Sequence, residues 1–440
     1  MKVVFLEVDT ERSWAVASIG PGFIASFLRA HDHEVAFVRA SVDDADEDVV
    51  ARVAAHGPGL LGVSLTTRQW LRGRRLVAAI RARVDVPVLA GGLHPTFSPE
   101  AVLDAPGFDF VCIGEGEEAT LDLVTALESG GPVGSIANLW PRGGTRPALR
   151  APFEPIDELP WVARDLLDEP TGTVHMTTQR GCPFPCTYCA ARIYKELYEG
   201  VGSYGRRRSH ESVLAELRAL REDGSLGYVI FLDDTFTIKH RWVNEFCRVY
   251  GEQIGAPFSL HARVETVNER LLHTLAEAGC KQITYGVESG SERVRREVMK
   301  RPVTNDRFRN VFRWTREAGI LFTANFMMGL PGETREDLQM TLELAEELAV
   351  VDFGYFVFYP YPGTQLYRVC VDEGYLPEDH LEREANHRES ILTLPDLSQA
   401  DIAEYYDRFT GLREHLYRAR AGAAPAATAT DHVAALARTG

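Results

Sequence analysis

The chain has 440 residues, 45% hydrophobic and 25% charged, with a formal net charge of −16. That is room for two or three domains and a sizeable core in a globular composition, with no apolar run long enough to span a membrane. The acidic balance also excludes a sequence-independent grip on nucleic-acid phosphates, which needs a basic surface.

From residue 1 to about 127, short β-branched runs alternate with helical patterns, as in a parallel α/β sheet. Strands are predicted over 3–8, 34–38, 60–64, 86–90 and 108–113, and helices over 22–30, 46–55, 70–84 and 117–127. This pattern predicts a flavodoxin-like, doubly wound domain over 1–135, with its ligand at the carboxyl ends of the strands. The loops expected there are Ser64-Leu-Thr-Thr-Arg-Gln-Trp70, Gly91-Gly-Leu-His-Pro-Thr96 and Gly114-Glu-Gly-Glu117. Glycines let a backbone approach a ligand and hydroxyls hydrogen-bond to it, although singly each loop is an ordinary α/β turn. Residues 136–172, irregular and rich in glycine and proline, are expected to be a linker.

A predicted strand over 173–178 leads into Arg180-Gly-Cys-Pro-Phe-Pro-Cys-Thr-Tyr-Cys-Ala190. Thiolates are the ligands of iron–sulfur clusters, which normally use four. Cys182, Cys186 and Cys189 supply three, enough for three irons of a [4Fe–4S] cube with the fourth iron open to another ligand. Structural zinc is the competing metal, but it closes with four ligands, and the nearest histidines, His175 and His210, form no pair with this triad. The other four cysteines, Cys112, Cys247, Cys280 and Cys370, lie in apolar or amphipathic surroundings and are expected to be buried thiols. An odd total of seven cysteines and the lack of an apolar N-terminal signal point to a reducing, cytoplasmic setting.

Further strands are predicted over 228–232, 258–262, 282–286, 321–328 and 355–359, with helices over 210–222, 241–253, 268–278, 305–318 and 335–348. Six such units are fewer than the eight of a closed barrel, whose active site lies at the strand carboxyl ends. Polar residues stand at those ends: Asp233 and Asp234, Arg263 and Glu265, Glu288, Asn325. A helical pattern over 398–417 follows, and the alanine-rich stretch 419–440 is expected to be a mobile tail.

The cysteine spacing, with Tyr188 before the third cysteine, resembles the cluster loop of the radical S-adenosylmethionine (SAM) superfamily. The match extends from Arg180 to Tyr367, through Gly286-Val-Glu-Ser-Gly290, Gly329-Leu-Pro-Gly332 and Tyr361-Pro-Gly-Thr364. The N-terminal loops, taken together and in this order, resemble those of the cobalamin-binding domain that precedes many radical SAM domains. The resemblance implies a partial (β/α)6 barrel over 173–385, a short helical region over 386–418, and SAM completing the cluster. It implies SAM contacts from Tyr188, Asp233, Asp234, Arg263 and Glu288: Asp233 and Asp234 toward the amino group, Glu288 and Arg263 toward ribose or carboxylate, Tyr188 near the adenine. It implies cobalamin contacts from Ser64, Thr66, Thr67, Trp70, Gly91, Gly92 and His94. The Asp-x-His-x-x-Gly signature of other cobalamin proteins is absent after the first strand, which leaves the lower cobalt face to something else; Thr67, Arg68, Gln69 and Trp70 are candidates by position. For Trp70 the competing reading is a helix-start residue packed against the sheet.

The implied activity is reductive cleavage of SAM to a 5′-deoxyadenosyl radical that abstracts hydrogen from a small metabolite. The leading outcome is cobalamin-dependent methylation of carbon, less so of phosphorus, on a natural-product or sugar-like substrate. The rival is a radical dehydration, dehydrogenation, epimerisation or rearrangement without functional cobalamin, and a non-catalytic sensor is a third reading. An electron donor such as flavodoxin or ferredoxin is the expected partner; nothing in the sequence bears on oligomeric state.

Overall fold

The computed structural model describes residues 1–10, 18–167, 172–350 and 352–421. Lys2–Val8 (β1), Glu34–Ala40 (β2), Leu60–Ser64 (β3), Val88–Gly91 (β4), Phe110–Cys112 (β5) and Leu139–Pro141 (β6) form one sheet in the order β2-β1-β3-β4-β5-β6. β1 to β5 are parallel, and β6 runs antiparallel to β5. Period-two alternation along β1 serves both faces. Val4, Leu6 and Val8 pack with Val49 and Val53 of the helix Asp46–His56 and with Leu76 and Ile80 of the helix Trp70–Arg81. Val3 and Phe5 pack on the other side with Leu28 of the helix Ile19–Arg29 and Leu123 of the helix Glu117–Ser129. The doubly wound sheet is as expected, but β6 comes from the segment expected to be linker. A pair of short helices, Leu93–Phe97 and Pro99–Asp104, stands where a loop was expected after β4. Gly92, at φ 95°, turns the chain into the first, and Pro99 opens the second.

Thr173–Met176 (β7) begins the second sheet. After it, Gln179–Arg180 (β8) pairs antiparallel with Arg206–Arg207 (β9). Tyr228–Phe231 (β10), Phe258–Ala262 (β11), Cys280–Glu288 (β12), Leu321–Met328 (β13) and Phe353–Val357 (β14) complete it in the order β7-β10-β11-β12-β13-β14, all parallel. This is a half-barrel. Along β12, Ile283, Tyr285 and Val287 are buried in the core that holds Phe308 and Phe312, while Gln282, Thr284, Gly286 and Glu288 alternate on the other, concave face. Of the polar residues noted in the sequence, Glu288 and Asn325 therefore fall on the face that is not packed by helices, and Asp233, Asp234, Arg263 and Glu265 follow the ends of β10 and β11. The helix Gln399–Ala421 closes the far end, with Ile402, Tyr405 and Phe409 in the same core. Of the expected tail, residues 422–440 lie outside the described residues.

The two sheets are joined by charge and by rings. Glu115, in the loop after β5, takes Arg206 of β9 and Arg180 of β8, the latter at 3.1 Å. Its backbone N–H donates to the Tyr198 hydroxyl at 2.8 Å, and Phe97 meets Tyr194 edge-on at 5.0 Å. Arg74 and Glu382 form a two-pronged pair farther out.

Candidate active site

The three cysteines occupy the loop between β8 and the helix Ala190–Leu197, with Cys189 at the helix's N-terminal boundary. Burial pushes the Cys189 thiol up to about 12, and the Cys186 and Cys182 thiols beside it push the same way. Burial raises Cys182 as well. Arg263 donates from Nη1 to the Cys186 sulfur at 3.0 Å, its guanidinium seated 4.0 Å over the Phe184 ring. The donor set is thus three neighbouring sulfurs with a cation aimed at one, which suits thiolates made by metal binding, since coordination deprotonates a thiol outright. Among the described residues no three His, Cys, Asp or Glu side chains converge to hold one metal ion. Thiolates that each take a different iron of a cube need no such convergence.

The strand ends sort the acids that the sequence presents as equals. Asp233 is 2% exposed and accepts from the Thr178 N–H at 2.7 Å, the Gln179 N–H at 3.0 Å and the Thr178 hydroxyl. Burial pushes its carboxyl up to about 6 against those donors. It ties the end of β10 to the end of β7, so the carboxylate expected to meet SAM already accepts three bonds from the protein. Asp234, the next residue, is exposed and its carboxylate makes no hydrogen bond among the described residues, while burial of the group raises it. Glu288 ends β12 at φ 70°, at a register shift against β13, a strained backbone for a residue with a side chain. Burial raises its carboxyl, against the pull of Arg301 and of the nearby Tyr188 hydroxyl. Tyr188, expected near the adenine, stands with its hydroxyl beside Glu288.

Arg301 was not anticipated. Its side chain is 1% exposed, and it grips Glu265 through Nε at 3.2 Å and Nη2 at 3.0 Å, with Glu288 3.6 Å from Nη1. Although burial works the other way, Arg301 and then Arg263 hold the Glu265 carboxyl at about 2. The sequence around Arg301 reads as a charged surface stretch, so no local signal could have found it.

At the first sheet, a cavity of about 280 Å³ runs along the carboxyl edge, lined by backbone at Gly20, Gly62, Gly91, Gly92, Gly114 and Gly116 and by Ser64. A Cβ on Gly20 would meet nothing within 4 Å, and one on Gly91 only the Cys112 Cβ at 3.9 Å, so both face open space that a side chain would fill. This is a cradle for a flat or extended group, and it fits the cobalamin reading. A second cavity, about 560 Å³, lies between the domains. Thr66, Thr67, Arg68 and His94 line it from the first domain, and Tyr188, Cys189, Tyr361 and His387 from the second. His94 is 1% exposed, with Nδ1 3.3 Å from the Thr67 hydroxyl and Nε2 buried without a partner. Burial lowers it to about 4, so the ring is neutral at pH 7. Trp70 lines neither cavity: it is 3% exposed and stacks on His94 at 4.8 Å, which corrects the expected cobalamin contact to a packing one. Gln69 is also pinned, donating to the Val8 carbonyl and accepting from Thr66.

A model of the B12 binding domain matches residues 15–124 and one of the Radical SAM superfamily matches residues 176–345. The uncharacterized methyltransferase PH0819 of Pyrococcus horikoshii is 29% identical over 393 residues, covering 84% of this chain and 83% of that one. Cytidylyl-2-hydroxyethylphosphonate methyltransferase of Streptomyces wedmorensis is 25% identical, covering 91% and 87%. In fold, the chain is similar to the radical SAM methyltransferase TsrM from Kitasatospora setae, solved with tryptophan substrate and a SAM analogue: TM-score 0.73 at 18% identity, covering 94% and 89%. With both family models matched where the two sheets lie, the chain carries a B12-binding domain ahead of a Radical SAM domain, and its cofactors are a [4Fe–4S] cluster, SAM and cobalamin.

Proposed function

We propose that the protein is a cobalamin-dependent radical SAM methyltransferase acting on carbon of a small metabolite. One observation carries this reading: the edges of both sheets open into the same cavity of about 560 Å³, which touches Cys189 on one side and Thr66, Thr67 and His94 on the other. When bound, the cluster and SAM supply a hydrogen-abstracting 5′-deoxyadenosyl radical and cobalamin supplies the methyl group. The chain's part is to hold and orient. Asp234, whose carboxylate has no hydrogen-bond partner among the described residues, would accept from the ammonium of SAM's methionine part, while the Glu288 carboxylate, beside the Tyr188 hydroxyl, would accept from the ribose hydroxyls. Arg263 steadies the sulfur of Cys186 and is itself held by Glu265. The glycine-lined cleft would hold cobalamin, with Arg68 lining the adjoining cavity between the domains. Enclosure between the domains keeps water from the reacting carbon.

The methyltransferases among its relatives support methyl transfer over other radical outcomes. All seven cysteines are free thiols, which supports a reducing, cytoplasmic setting. No helix of the described residues is long and apolar enough to cross a membrane. The test is a product assay under anaerobic conditions, with the cluster and cobalamin loaded, SAM deuterated in its methyl group and a panel of candidate metabolites. S-adenosylhomocysteine and 5′-deoxyadenosine together with a deuteromethylated product are expected. 5′-Deoxyadenosine and methionine alone with a turned-over substrate would replace methylation by the rearrangement reading.

A further inference from the structure

The cluster loop is a wall between two cavities that share no lining residue. Cys189 lines the one between the domains, and Cys182 lines another, of about 660 Å³. The helix Ala190–Leu197 divides them by its period: Ala190 and Ile193 face the inner cavity, Arg192 and Lys195 the outer cleft. The outer cleft is cationic on an acidic chain. Six arginine and lysine side chains line it against two carboxylates, Glu196 and Glu199, although the formal net charge is −16. Arg180 and Arg206 are spent on Glu115, and Arg192 on Glu196. Lys195 and Lys239 are exposed and form no ion pair among the described residues. Between these charges and Cys182 lie Pro183 and Pro185, both exposed, and the half-buried Phe184. An apolar centre with a charged rim is the anatomy of a protein-docking surface.

We propose that this cleft is where an acidic flavodoxin docks to reduce the cluster, guided by Lys195 and Lys239. The proposal rests on the cluster being held by Cys182, Cys186 and Cys189. In the step, one electron leaves the flavin hydroquinone anion, which becomes the neutral semiquinone, and enters the cluster; no bond is made or broken and no proton moves. Entry on this flank leaves the inner cavity to SAM and substrate, while the glycine-lined cavity meets the cleft only at Gln179, Arg180 and Tyr204. Opposite charge speeds encounter between protein partners, and salt screens that attraction.

The test is stopped-flow bleaching of the reconstituted full-length protein by a fully reduced acidic flavodoxin, with dithionite as a small reductant, in wild type and in the Lys195→Glu/Lys239→Glu double variant. The double variant should be reduced about tenfold more slowly by flavodoxin, and at the wild-type rate by dithionite. The wild-type flavodoxin rate should fall steeply from about 0.05 to about 0.5 M salt. A flavodoxin rate unchanged by the charge reversals, or insensitive to salt, overturns the proposal. Reduction by a ferredoxin with flavodoxin inert overturns the choice of partner. If dithionite itself fails to bleach wild type, the cluster reading falls and the docking site falls with it.

Discussion

The edge of the first sheet and the edge of the half-barrel face each other across one cavity, yet one is made by leaving side chains out and the other by pairing them. Gly20, Gly62, Gly91 and Gly92 open a cavity along the first, and beside it the Nε2 of the neutral His94 imidazole is buried without a partner. The second is a chain of charge, Cys186 to Arg263 to Glu265 to Arg301 to Glu288. The contrast teaches that the first edge selects by shape, where losses are steric. The second holds charged groups in place, where losing one partner strands the other.

The largest effect should come from removing the metal ligands. Replacing Cys182, Cys186 and Cys189 together by Ala should abolish the brown cluster absorbance and all SAM cleavage, while cobalamin titrated into the variant binds as before. Loss of cobalamin binding would show the edges to be one unit. Next, Arg301→Met leaves the Glu265 and Glu288 carboxylates without their buried partner. We expect a loss of about 3 kcal/mol or more in urea unfolding of the half-barrel, with cobalamin affinity unchanged.

The first edge should show itself through pH. The His94 imidazole is held at about 4 in the fold against 6.5 unfolded, so between those values the unfolded chain binds the extra proton. Its contribution is complete above pH 6.5 and lost as the pH falls toward 4, by at most about 3 kcal/mol. Urea midpoints measured across that window should slope less in His94→Phe than in wild type; equal slopes would remove His94 from the account. A steric test follows with Gly91→Val, expected to weaken cobalamin binding about tenfold, or about 1.4 kcal/mol, and to leave dithionite-driven SAM cleavage intact. The smallest and sharpest is the neighbouring pair of aspartates. Asp233→Asn should cost about 1 kcal/mol of stability, since an amide replaces an acceptor of three donors. Asp234→Asn should leave stability alone and weaken SAM binding in equilibrium titration. The reverse pattern would exchange their roles.

Much of this was legible because it is local. The apolar runs of β1, β3 and β10 announce strands, and the loops after β3, β4 and β5 stand out by glycine and hydroxyl content. β6 did not, since three residues within a proline- and glycine-rich stretch give no period to read. Trp70 gave the wrong signal: an aromatic at a helix start beside a ligand loop looks the same whether it faces the ligand or, as here, backs His94. Asp233 and Asp234 are indistinguishable as letters; only the backbone decides which turns onto β7.

Cys182, Cys186 and Cys189 lie within eight residues, so a three-thiolate loop is legible in their spacing, and its resemblance to the radical SAM cluster loop, with that of the N-terminal loops to a cobalamin domain, implied the family and the cofactors. The ion chain behind that loop joins Arg263 and Glu265 to Arg301, 36 residues beyond Glu265, and the shared cavity joins Thr67 to Cys189 and Tyr361. Those meetings depend on how helices and strands pack, and packing is set by the summed burial of residues scattered over the whole chain. Ligand type could therefore be read from short spacing, whereas which charges pair and which edges face each other was decided only by the tertiary structure.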